Sequence, residues 1–121
     1  MVVKKNNVRE QRIIYEIVVD AYGSEEQALG WYYYIENALE FPFHAICIST
    51  RANSPLRKEE VVKVIGMPAE KDCTQEVLVT IEFCDHTMSV PLCQLKPLSV
   101  APNARKAIDD WQYWVARGYQ F

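Results

Sequence analysis

The sequence predicts an α+β fold: two N-terminal helices, a small curled antiparallel β-barrel and one C-terminal helix. Three observations predict it. Apolar residues recur at helical spacing before residue 41. Four or five short runs rich in Val and Ile then follow one another closely, as in a small barrel. The last twenty residues return to helical spacing. The chain has 121 residues, enough for one domain with one core. Residues 1–121 therefore read as a single domain, helical over 9–40, barrel over 43–98 and helical again over 103–117.

The first helix is placed at residues 9–22, REQRIIYEIVVDAY, where Ile13, Ile17 and Val18 recur at helical spacing. The core of this stretch, IIYEIVV, is equally compatible with a strand. Gly23 interrupts. Ser24 then has the chemistry of an N-cap, Glu25 and Glu26 suit the first turn, and Gln27 completes a capping-box spacing. The second helix is expected over about 25–39. Ala28, Trp31, Tyr32, Ile35 and Leu39 fall on its inner stripe. Successive helical side chains point about 100° apart, so Tyr32, Tyr33 and Tyr34 cannot share one face. At least one of them must reach the surface. Pro42 lies beyond the end of this helix.

Strands are predicted at 43–49, 60–67, 76–83 and 87–92, with a last fragment at 94–98. The segment CDHT, residues 84–87, has the composition of a hairpin turn. The final helix starts near Pro102 and Asn103, carries Ala104, Ile108, Trp111 and Val115 inward, and stops at Gly118. Four cysteines stand at 47, 73, 84 and 93, too far apart in sequence for a zinc knuckle. Cys47 and Cys84 sit in apolar runs and are expected in the core. The N-terminal stretch MVVKKNNVREQR is polar and basic, and no long apolar span follows. No membrane association is therefore expected, and a cytoplasmic setting with reduced thiols is.

The net charge of −3 matters less than its distribution. Between Ile13 and Thr50 there are six acids and no Lys or Arg. Residues 69–95 hold five acids against Lys71. Such blocks disfavour a nucleic-acid partner, which requires a basic stripe. They are compatible with a cation site or with a soluble surface. Catalysis finds little support. His44 and His86 have no Ser or Cys partner in a recognisable motif. The four glycines are isolated, so there is no phosphate loop. Asp109 and Asp110 are adjacent, and adjacent helical residues diverge. The chain is therefore expected not to be an enzyme.

A calcium site suits the residue types better. Ca2+ takes several hard oxygen ligands. Glu36 and Glu40 are spaced i, i+4 on the second helix, with Asn37 between them offering an amide oxygen. They lie at a helix C-terminus, where unpaired carbonyls and the negative dipole end make acids unfavourable unless a cation offsets them. The alternative is that these acids are solvated or paired with a distant Lys or Arg. A second acid set is Glu70 and Asp72 in an inter-strand loop, with Glu76 just after it; the alternative there is a solvated loop. No EF-hand loop is present.

The segments WYYYIENALEFPFHA, EEVVKVIGMPAEKDC, VPLCQL and AIDDWQYWVARGYQF occur in this order. Together they resemble the CcbP-type calcium-binding proteins of cyanobacteria, over about residues 24–121. The resemblance implies an SH3-like barrel with flanking helices and a role in calcium buffering or sequestration. In that family an acidic pair stands where Glu36 and Asn37 stand here. Asn37 keeps an oxygen ligand and loses a charge, which implies weaker binding. Asp109 and Asp110 match the family's acid before the Trp and are secondary candidate ligands. Holding the helix against the barrel is the alternative role for Asp110. Apart from calcium, an SH3-like interaction module is the other reading, with Tyr33, Tyr34, Trp114 or Tyr119 exposed to bind a peptide or to form a dimer.

Overall fold

The computed structural model describes residues 6–18, 23–51, 54–73 and 76–117. Helix α1 spans Asn7–Glu16, and α2 spans Ser24–Ala38. Five strands follow: β1 (Phe43–Cys47), β2 (Val61–Gly66), β3 (Leu78–Phe83), β4 (His86–Pro91) and β5 (Leu95–Pro97). Helix α3 spans Pro102–Ala116. Two short 3-10 turns lie at Glu70–Asp72 and Leu92–Gln94.

The first segment is a helix and not a strand. It starts earlier than its apolar spacing predicts because Asn6 caps it, its side-chain oxygen accepting from the Arg9 N–H at 2.9 Å. Ile13 and Ile17 are buried, as the helical spacing requires. Ile17 caps the C-terminus, so the helix ends short of residue 22, and residues 19–22 lie outside the described set. The expected Ser24 cap is not the one formed. Gly23 takes the N-cap position with extended backbone, and Ser24 is already helical. The predicted stop at Gly118 also lies outside the described residues.

The α2 stripe is buried as predicted: Ala28, Trp31, Tyr32, Ile35 and Leu39 all face the core. Trp31 is fully enclosed, with Trp111 edge-on at 5.0 Å and Trp114 tilted at 5.8 Å. Contacts of this kind add about 0.5–1.5 kcal/mol each beyond area burial. They explain why α2 and α3 dock together. Trp114 is therefore a core residue, contrary to its expected exposure. Gly30 permits a second close approach. A Cβ there would lie 2.5 Å from the Ile17 carbonyl oxygen, so α2 crosses the end of α1 at backbone distance.

The sheet is antiparallel, in the order β4-β3-β2-β1-β5. In β2 the register shifts between Val64 and Gly66, which inserts one extra residue and bends the strand. Strands β3 and β4 form a two-residue hairpin in which Phe83 pairs with His86. Its turn residues, Cys84 and Asp85, both have positive φ, 49° and 65°. This is the primed turn whose twist matches that of the strands. The turn puts Cys84 at the surface, not in the core; Cys47 is buried as expected, and all four thiols are free. A single apolar cluster draws on residues from Ile13 to Trp114.

The two sheet edges are β4 and β5, yet only residues 92–94 separate them in sequence. Four inter-strand steps in a flat sheet amount to about 19 Å. Four extended residue steps reach at most about 14 Å, and a 3-10 turn reaches less. The sheet is therefore strongly curled. A closed barrel, as the sequence predicts, is a further step, because no ladder joins β4 to β5 among the described residues.

Candidate metal centre

The five candidate ligands do not assemble into one site. Asp110 lies on the inner face of α3, fully buried. Arg12 of α1 donates to its Oδ1 through Nη2, Arg9 Nε lies 3.6 Å from the same oxygen, and the Tyr34 hydroxyl donates to Oδ2 at 2.9 Å. The bond to Asp110 raises the Arg12 pKa further above its ordinary value. Burial, then the bond to Asp110, pushes the Tyr34 phenol up to about 12. Two further contacts close the same helical junction. The Asn6 N–H donates to the Tyr113 hydroxyl at 2.7 Å, and the Arg9 guanidinium stands 5.6 Å above the Tyr113 ring. Asp110 thus joins α1, α2 and α3. Tyr34 is half-buried in that junction and not displayed for a partner. Asp109 is half-buried beside it.

Glu36, Asn37 and Glu40 are exposed. The shared helix face expected of Glu36 and Glu40 is absent, because α2 ends at Ala38 and its cap, Leu39, is extended (ψ 138°). Glu40 lies beyond the helix and lines a cleft of about 350 Å³ with Phe41, Pro42, Val100 and Ala104. One turn before Glu36, α2 reaches an acid of the separate loop set. The short turn Glu70–Asp72 stands against α2, and the Tyr33 hydroxyl donates to Glu70 Oε2. The neighbouring Tyr32 hydroxyl donates to the Pro68 carbonyl at 2.7 Å. Burial, then the charge of Glu36, pushes the Tyr32 phenol up to about 12. The bond to Glu70 raises the Tyr33 phenol, with the charges of Glu70 and Glu36 adding to it. Two carboxylates therefore act on the same pair of phenols.

The partners of these two acids are neutral. Among the described residues no Lys or Arg forms an ion pair with Glu36 or Glu70. Glu76, by contrast, is held by Arg51 at 3.0 Å. Also among the described residues, no group of three or more His, Cys, Asp or Glu side chains is arranged to hold a metal ion. A cation at Glu36 and Glu70 would have to complete its shell with amide oxygens, backbone carbonyls and water. That donor set is all oxygen and suits Ca2+ rather than a transition metal. The sequence marks Glu70 only as part of a separate loop set, because nothing in its own segment places it opposite α2. The one available signal was the exposed tyrosine, since Tyr33 needs a surface partner.

Three comparisons with known proteins bear on this chain. A protein-family profile for CcbP, described as calcium binding, matches residues 11–115. The crystal structure of Anabaena CcbP is similar at 36% identity and TM-score 0.85, covering 100% of both chains. A structure described as a calcium-binding protein in the calcium-binding form is similar at 36% identity and TM-score 0.85, covering 97% of this chain and 96% of that one. Among curated proteins there is no match.

Proposed function

The chain belongs to the CcbP family of calcium-binding proteins, and on that premise we propose that it binds Ca2+ reversibly where the end of α2 faces the Glu70–Asp72 turn. Calcium is the ligand here and not a catalytic cofactor, so the chain buffers or sequesters the ion and performs no reaction. Glu36 and Glu70 supply carboxylate oxygens and Asn37 an amide oxygen. Glu40 and Asp109 are outlying candidates. Asp110 is left out, because an ion there would have to displace Arg12. The observation that carries this reading is the hydrogen bond that ties Glu70 of the turn to Tyr33 of α2, one helical turn from Glu36, with no Lys or Arg ion-paired to either acid among the described residues. Two charges and one amide make a shallow site, and affinity follows the number of ligand charges.

Three finer readings go with it. The curl forced by residues 92–94 supports an SH3-like barrel. The continuous core from Ile13 to Trp114 supports a single domain. Four free thiols support a cytoplasmic setting, and no helix among the described residues is long and apolar enough to cross a membrane.

Calorimetric titration of chelator-stripped protein with Ca2+ tests the reading. A saturable heat is expected, weakened about tenfold in Glu36→Gln and in Glu70→Gln, each of which removes a ligand charge. Silence at millimolar Ca2+ would overturn calcium binding. A wild-type affinity in both variants would move the site elsewhere.

A further inference from the structure

We propose that the Tyr33 hydroxyl and the calcium ion exchange places on Glu70, so that Tyr33 holds the ligand in the metal-free chain and releases it when the ion arrives. The inference rests on the site reading above and concerns how that site is kept ready.

The two adjacent tyrosines do different work. Their rings meet edge to face at 5.3 Å, yet Tyr32 is 6% exposed and Tyr33 is 45% exposed. Tyr32 donates to backbone, the Pro68 carbonyl, and so fixes the approach of the turn to α2. Tyr33 donates to a side chain, the Glu70 carboxylate. A phenol O–H directed at a carboxylate oxygen occupies a lone pair that a cation needs. It also holds Glu70 close to α2 without neutralising it. Tyr33 can turn into water on release, because it is already exposed. Tyr32 cannot leave without uncovering the core. Tyr33 is therefore a removable placeholder and Tyr32 a positioning residue for the turn.

Opposite effects follow from adjacent, chemically identical substitutions. Tyr33→Phe removes the competitor and is expected to bind Ca2+ about threefold tighter, the scale of one modest hydrogen bond. Tyr32→Phe frees the turn and is expected to bind more weakly. The Tyr33→Phe gain should vanish when Glu70 is already Gln. The ring signals of Tyr33 in the NMR spectrum of the wild-type chain should shift on calcium addition, independently of the calorimetry. A Tyr33→Phe affinity equal to or below wild type, with Glu36→Gln and Glu70→Gln both weakened, would overturn the exchange alone. Unchanged affinity in Glu36→Gln and Glu70→Gln would overturn the site, and the exchange with it.

Discussion

Asp110 and Glu70 both accept a hydrogen bond from a tyrosine of α2, and there the likeness ends. Asp110 is fully buried and faces two guanidinium groups. Glu70 is exposed, and it shares its surroundings with a second acid. A buried carboxylate must be neutralised by its own chain, because desolvating an unpaired charge costs several kcal/mol. At the surface a carboxylate needs only water or a neutral donor, and its charge stays available to an ion. Of these two acids, the charge-balanced one lies in the fold and the unbalanced one on the surface. Being an acid in a candidate motif does not distinguish the two kinds; the sign of the neighbours does.

Removing the charge of Asp110 should produce the largest effect on stability. Asp110→Asn leaves Arg12 facing a neutral amide in a buried junction and should cost about 3 kcal/mol, read as a shift of the urea midpoint. Calcium affinity should stay at the wild-type value. If it fell as far as in Glu36→Gln, the division between the two regions would collapse. Glu36→Gln itself should leave stability within about 0.5 kcal/mol.

Next in size is Gly30→Ala, which tests how α1 comes to offer Arg12 at all. Alanine is better than glycine in a helix by about 1 kcal/mol. Against that, its Cβ would meet the Ile17 carbonyl oxygen at 2.5 Å, a backbone atom that cannot turn aside. Overpacking of this kind costs up to about 3 kcal/mol, so a net loss of about 2 kcal/mol is expected. Thermal denaturation measures it.

The smallest effect is alkaline. Burial and Asp110 hold the Tyr34 phenol up to about 12, against an ordinary value of 10.0. The folded state therefore favours the neutral phenol. Its contribution is intact below pH 10 and is lost as pH rises through about 12. Circular dichroism across that window should show stability falling, and Tyr34→Phe should flatten the slope.

The helices and strands were legible in the sequence because each is a local pattern. The α2 stripe ending at Leu39 and the CDHT turn follow from spacing and turn chemistry, and the structure keeps both. What escaped is contact between distant segments. Arg12 and Asp110 are 98 residues apart, and Tyr33 and Glu70 are 37 apart. No periodicity carries such pairs. A local pattern also misleads when it is carried one step past the end of its element. Glu40 was assigned to a helix that ends two residues earlier, and Cys84 to a core that its own turn leaves. Of the candidate site, Glu36 and Asn37 were readable as acid and amide at a helix end. Glu70 was readable only as a loop acid, since its place beside α2 depends on the turn being folded against that helix.

The placement of β4 and β5 on opposite edges also divides the entropy of forming the sheet. The β3–β4 edge closes over two residues, so little chain freedom is lost in bringing its strands together. The β1–β5 edge joins Ala45 to Pro97 and encloses β2, β3 and β4 in its loop. Loop-closure cost grows only logarithmically with length. Once the hairpin and β2 are in place, the effective loop is shorter still. With those elements in place, the three residues at 92–94 leave β5 a short reach to β1, so pairing it costs little further freedom.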